Sequence, residues 1–224
     1  MKNHKPACFK AYQLIKDKII RNEFDSTGKL NEIDLAKELD LSRTPVREAL
    51  IMLEKDELIT RYEQNRGFYI KQYSIKDIYD IYEFRKIIEF NSAGQLLENI
   101  SDRDIEELEV ILKQVRDIIE QERPADALVR AVDFHLKCIR ICTNNSFMIK
   151  ALQNCYEKMI LTSWSCQNIN TCISSADEHD RIMEAIKDRN LERLIDCTGS
   201  HIQGGRDRIL NLLKEDIHKL YIRH

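Results

Sequence analysis

The chain has 224 residues, with 35 Lys and Arg against 38 Asp and Glu and a formal net charge of −3. That length allows one large or two modest domains, and 43% hydrophobic residues are enough for a real core. The composition excludes several classes. No uninterrupted apolar run approaches membrane-spanning length, and Lys2, Lys5 and Lys10 lead into an amphipathic segment rather than a signal peptide, so a cytoplasmic protein without a membrane partner is expected. Seven Cys without regular paired spacing fit reduced thiols in that compartment better than a disulfide scaffold. Only 3 Pro and 6 Gly predict long helices and few loops. There is no low-complexity segment and no internal repeat.

In chain order, the first informative stretch is Leu35 to Leu50, which reads as two short helices. Leu35, Ala36 and Leu39 share one face, Asp40-Leu41 makes a turn, and Ser42 is a good N-cap for the next helix. There Val46, Leu50 and Leu53 recur at spacings of four and three, so they face inward and leave Arg43, Thr44 and Arg47 outward near the amino end. A recognition helix reads DNA with that end. Arg pairs bidentately with guanine O6 and N7, Thr bonds a base or a phosphate, and the helix N-terminus favours phosphate. Leu58 to Tyr62 and Phe68 to Ile70 then read as short strands joined by Gln64-Asn65-Arg66-Gly67. In that hairpin Gly67 permits a positive φ or a close approach to a phosphate, and Arg66 at the tip is placed to enter a groove.

These residues resemble the winged helix-turn-helix of GntR-family bacterial regulators. The resemblance runs from Leu35-Ala36 through Ser42-Arg43-Thr44-Pro45-Val46-Arg47-Glu48-Ala49-Leu50, then Leu53-Glu54 and Leu58-Ile59, to Asn65-Arg66-Gly67-Phe68-Tyr69-Ile70. It departs between Asn22 and Lys29, where the family has glycine and Pro-Gly and this chain has another turn composition. The resemblance implies a homodimer bound to double-stranded, palindromic operator DNA. Up to Ser74 there are 14 Lys and Arg against 12 Asp and Glu, and beyond it 21 against 26. Such a weak imbalance makes DNA affinity rest on a focused patch and on dimerisation rather than on bulk charge.

Beyond Tyr73 the pattern is almost wholly helical. Ser74 caps a segment over 75–99, and Ser101 with Asp104 forms a capping box for the next, whose stripe is Ile105, Leu108, Ile111-Leu112, Val115 and Ile118-Ile119. Further helices are predicted over 124–142, 146–167 and 174–189, and a last long one from about Asn190. The expected fold class is mainly α. A winged helix-turn-helix of three helices and a hairpin wing occupies 1–73, and an antiparallel six-helix bundle occupies 74–224.

Three histidines, His135, His179 and His201, fall on three different predicted helices. Their contexts resemble the FCD ligand-binding domain of one large GntR branch, of the shorter six-helix, VanR-like kind. That resemblance implies a divalent metal held by an Asp and three His, with a small carboxylate effector completing its coordination. The Asp position, four residues before the first His, is Ala131 here. Asp133 lies about 200° around the helix from His135 and is a poor substitute. Three imidazoles still suffice for a zinc or nickel ion with an open position.

Cys138 and Cys142 follow on the face of His135, either as small apolar filling or as thiolates entering the site. Arg85 falls where resembling domains place an arginine that meets the ligand carboxylate, and it is equally spaced for a salt bridge with Glu89. No Lys or Arg occurs between Met159 and Asp180, so Ser163, Trp164 and Ser165 are expected to shape a more neutral pocket. The reading is a ligand-responsive transcription regulator, expected to be a repressor. Alternatives are a metal- or thiol-redox-sensing regulator and, more distantly, a three-His metalloenzyme with a DNA-targeting module. The last lacks any motif that pairs a general base or nucleophile with the histidines.

Overall fold

A computed structural model describes residues 6–25, 27–62, 67–163 and 168–222, with the backbone alone over 215–222. The chain divides into two compact units, Met1–Gln72 and Tyr73–His224.

In the first unit α1 (Ala7–Ile20) buries Ala11, Tyr12, Ile15 and Ile19, the i, i+4, i+8 stripe of an amphipathic helix. It packs on α3 (Arg43–Lys55), which buries Val46, Ala49, Leu50 and Leu53 as the spacing predicts. Tyr12 Oη donates to Asp56 Oδ2 at 2.5 Å, tying α1 to the C-cap of α3. Between them α2 (Glu32–Glu38) is capped by Asn31, whose side chain accepts from the Ile33 backbone N–H at 2.9 Å. Asp40, at φ 52°, makes the left-handed turn into α3.

Ser42 occupies the N-cap position of α3 with extended backbone, but its side chain makes no cap hydrogen bond. Its hydroxyl is exposed at the head of the helix rather than used in capping. The sheet has three strands in the order β1-β3-β2, with β1 (Lys29–Leu30), β2 (Ile59–Arg61) and β3 (Phe68–Ile70). The pairing of β2 with β3 matches the predicted hairpin. The two-residue β1 was not predicted, because two residues carry no alternation to read.

Among the described residues the second unit has six helices: α4 (Ile75–Asn99), α5 (Asp102–Glu120), α6 (Pro124–Cys142), α7 (Ser146–Thr162), α8 (Ile169–Lys187) and α9 (Leu191–Ile222). Capping boxes Ser74/Asp77 and Ser101/Asp104 start α4 and α5. Two expected boundaries move. Helix α7 stops at Thr162 rather than 167, and α8 starts at Ile169 rather than 174, because Asn168 and Thr171 form a further capping box there.

Helix α4 packs on α6, α7 and α9, α5 packs on α6 and α8, and α8 packs on α9. Leu108, Phe134, Ala185 and Ile186 form the centre of one buried cluster, while Val115, Ile119, Ala127, Ala131 and Ala176 form another beside it. Their arrangement leaves a cavity of about 90 Å³ lined by residues from all six helices. Gly205 of α9 lines it where α9 crosses α4. A Cβ there would come within 3.3 Å of the Tyr82 ring, so any other residue would make Tyr82 give by a few tenths of an ångström.

Candidate functional site

At the head of α3, Ser42, Arg43, Thr44 and Arg47 are all exposed, as an outward-facing amino end requires. The Arg43 and Arg47 side chains keep 67% and 65% of their surface accessible. Both approach the same carboxylate, since Glu32 at the start of α2 lies 4.0 Å from Arg43 Nη2 and 4.0 Å from Arg47 Nε. Gly67 precedes β3 with φ 153°, in the region that favours glycine. Arg66 lies outside the described residues, as do Trp164 and Ser165.

In the helical unit His135 of α6, His179 of α8 and His201 of α9 converge, with one ligand-type nitrogen from each within 4.8 Å of the others. All three rings are buried. The ring centroids are 4.4 Å apart for His179 and His201, and 5.0 Å apart for each of the other two pairs. Two of the rings are oriented by carboxylates. Nδ1 of His135 lies 3.1 Å from Glu89 Oε2, and Nδ1 of His201 lies 2.9 Å from Glu178 Oε2. A proton on each Nδ1 satisfies those carboxylates and leaves Nε2 with its lone pair. The Nε2 atoms of His135 and His179 face each other at 2.9 Å, while His179 Nδ1 is a buried atom without a hydrogen-bond partner.

Two ion pairs, one buried and one half-buried, hold this arrangement. Arg85 Nε donates to Glu89 Oε1 at 2.5 Å, and Tyr156 Oη donates to the same oxygen at 2.6 Å. Arg208 donates to both oxygens of Glu178, at 2.7 and 3.0 Å. Burial works against the Glu89 carboxylate, yet Arg85, His135 and Tyr156 hold its pKa below the ordinary range. Glu178 is likewise opposed by burial and held down to about 2 by His201 and Arg208. Burial lowers the pKa of all three imidazoles, to about 3 for His201, so each is neutral at physiological pH. The cavity is therefore lined by two arginines, each neutralised by its own carboxylate, and by uncharged imidazoles.

These residues fit a divalent transition ion. Neutral imidazole nitrogens are its usual donors, and ring N–H groups given to carboxylates are the usual support behind them. Two Nε2 atoms 2.9 Å apart cannot both point a proton inward. Either one donates to the other, or both turn lone pairs to a shared cation. Ala131 sits in the cavity wall and supplies no donor. Asp133 pairs with Arg130 on the opposite side of α6 and takes no part, as its position around the helix predicts.

Cys138 and Cys142 do not join the histidines. They line a second space, of about 30 Å³, behind His135, and their thiols pack against the apolar core there. Burial pushes the Cys138 thiol well above its ordinary pKa and the Cys142 thiol to about 12, which removes the thiolate that soft-metal or redox chemistry needs. Arg85 lines the main cavity and makes the salt bridge with Glu89 that its spacing allows. Sequence reasoning missed Glu178, Tyr156 and Arg208. The only signal for Arg208 was its spacing of seven from His201, which places both on one face of α9.

A winged helix with an exposed arginine head, together with a helical unit whose largely apolar cavity gathers arginine and histidine side chains, is the architecture of a DNA-binding transcriptional regulator with an effector domain. Residues 9–70 match the bacterial regulatory proteins of the gntR family, and residues 80–204 match the FCD domain. The chain belongs to the FCD branch of the GntR family. It is 24% identical to the Nta operon transcriptional regulator of Aminobacter aminovorans, over 88% of this chain and 91% of that one. It is 25% identical to the gluconate operon transcriptional repressor of Bacillus subtilis, over 90% and 84%. Its fold is similar to that of McbR/YncC of E. coli, with a TM-score of 0.80 over 94% and 99% of the two chains at 17% identity. The matched families and these relatives are transcriptional regulators, not enzymes. Among the described residues no helix is long and apolar enough to cross a membrane.

Proposed function

We propose that this chain is a cytoplasmic, homodimeric repressor of the six-helix, VanR-like kind, whose helical unit senses a small carboxylate through a metal-containing pocket. The observation that carries the sensing half is the convergence of three buried imidazoles from three helices at the wall of a cavity. His135, His179 and His201 would hold zinc or nickel, and the ion supplies positive charge and an open coordination position. The charge balance supports this pairing of ion and acid. Because Arg85 and Arg208 are each matched by a carboxylate, an anionic effector entering without an accompanying cation would bring an unmatched charge into a buried site. Ser42, Arg43, Thr44 and Arg47 would read a palindromic operator in the major groove, with Arg66 and Gly67 on the wing. One relative is a gluconate operon repressor, which supports repression here.

Native mass spectrometry of the purified protein, with elemental analysis after chelation and reconstitution, tests the reading directly. A dimer carrying one zinc or nickel per chain, lost in His179→Ala, is the expected result. A parent that stays metal-free on reconstitution yet still releases its operator on binding a metabolite would overturn the metal half and leave the regulator intact.

A further inference from the structure

On each helix that carries one of the three histidines, the histidine is the last cavity-lining residue in one direction, so the imidazoles stand at one end of the cavity. Small and apolar side chains continue from there. On α6, Ala131 and Ala127 precede His135 by one and two turns. On α8, Ala176 and Cys172 precede His179 by three and seven residues, and on α9 Gly205 and Ile209 follow His201 by four and eight. Val115 and Ile119 of α5 pack against the three alanines.

The polar groups along this wall are already engaged within the protein. Ser163 Oγ donates to the Met159 carbonyl and Thr171 Oγ1 to the Asn168 carbonyl, each at 2.8 Å, and Cys172 Sγ lies 3.7 Å from the Pro124 carbonyl. Arg208 gives two N–H groups to Glu178. Ser175, the other lining serine, is half-buried. A hydroxyl carried into the alanine-lined part would give up its water for no partner of equal worth, whereas a methyl in its place gains by leaving water.

We infer that the cavity selects a short, unsubstituted aliphatic acid and rejects hydroxy acids of equal size, with Ala131 and Ala176 setting the length of chain it accepts. This rests on the acid-sensing reading above and names which acids the site takes. A volume of about 90 Å³ limits the ligand to about six non-hydrogen atoms, given that about 150 Å³ accommodates benzene. With the acid's head toward the imidazoles, its chain lies along the turn that carries Ala131 on α6 and Ala176 on α8.

The test is isothermal titration of the full-length protein, metal-free and with Zn²⁺, using butyrate, 3-hydroxypropionate and butyramide. The two acids have the same length and differ only by methyl against hydroxyl at the chain end, away from the carboxylate. Butyrate should bind about tenfold to a hundredfold tighter than 3-hydroxypropionate in the same metal state, the scale on which an apolar pocket separates such a pair. Butyramide should bind weakly. Ala176→Val narrows the alanine-lined part and should weaken butyrate about tenfold while leaving acetate unchanged.

Equal affinity for the two acids, or a preference for 3-hydroxypropionate, overturns the inference and leaves acid sensing in place. Butyramide bound as tightly as butyrate overturns the acid reading, while a kept preference for butyrate over 3-hydroxypropionate still supports the selection made by the wall. No binding of any of the three overturns both. Acetate weakened as much as butyrate by Ala176→Val overturns the role of that alanine in setting length. Should Ala176→Val fail to fold, Ala131→Val takes its place, and the pair of acids on the parent decides the selection.

Discussion

In the winged-helix unit Arg43 and Arg47 are about two-thirds exposed, and their shared acid Glu32 lies at the edge of ion-pair distance. In the helical unit the side chains of Arg85 and Glu89 keep only 3% and 8% of their surface, in contact at 2.5 Å. The same two residue types thus do different work. An exposed arginine stays hydrated and loosely held, so it is free to exchange counterions for a phosphate or a base edge. A buried arginine must have its partner in place before any ligand arrives, because an unmatched charge there costs several kcal/mol. What the two units recognise follows from this. An exposed pair of arginines suits a polyanion met by side chains that reorganise, and a buried, already matched network suits a small ligand of the proposed kind.

The comparison is broken most readily at Glu89. Glu89→Ala leaves the Arg85 guanidinium buried without its carboxylate and should destabilise the helical unit by about 3 to 5 kcal/mol, measured by urea unfolding. A loss below about 1 kcal/mol, the scale of a surface pair, would show that Arg85 reaches water and that the contrast between the units is false. Next in size, Arg47→Ala should cost about 1 to 3 kcal/mol on the cognate operator and relax preference at one guanine in each half-site, with folding unchanged. Gel-shift titration at fixed salt reads both quantities. Undiminished operator affinity would remove Arg47 from the reading face.

Legibility in the sequence follows the same division. The faces of α3 were readable because its burial is local: Val46, Leu50 and Leu53 define one face within a few turns, and Arg43 and Arg47 are left on the other. The short strand β1 was not, since its only warrant is pairing with β3, nearly forty residues away. The three histidines stood out in the sequence as rare side chains in helical contexts, but the partners that orient them did not. Glu178 looks like any charged helix residue until α9 brings His201 and Arg208 against it. Cys138 shows the converse error. Its spacing from His135 suggested a place in the site, yet three residues along α6 carry it to a different cavity, because α6 has apolar neighbours on both sides of its buried face. Periodicity says which residues face inward, and only the packing of six helices says which inward-facing residues meet.

Ala131 sharpens the contrast from within the buried site. It lines the cavity one turn before His135, so Ala131→Asp places a carboxylate where a fourth donor is absent. Zinc should then bind about tenfold tighter in chelator competition. In metal-free buffer the same variant should be less stable than the parent, because the new carboxylate is buried without a partner. Equal zinc affinity in parent and variant would mean that the side chain at 131 does not reach the point on which the imidazoles converge.

The smallest effect belongs to Glu32, and it tests the exposed half of the comparison. Glu32 keeps 22% of its side-chain surface and approaches both recognition arginines at 4.0 Å, too far for a firm bond and near enough to bias where they point. A carboxylate beside two arginines that bind DNA would repel phosphates, so Glu32 should lower non-specific affinity while helping to keep Arg43 and Arg47 apart and forward. Glu32→Gln retains the shape and removes the charge. It should strengthen binding to random-sequence DNA a few-fold, within the roughly 0.2 to 1 kcal/mol of an exposed pair, and strengthen operator binding less, so that the ratio between them falls. Raising the salt should shrink the gain, because screening weakens whatever an exposed carboxylate contributes. If the variant improved both affinities equally at every salt concentration, Glu32 would act only through net charge, and the reading arginines would be positioned by α3 alone.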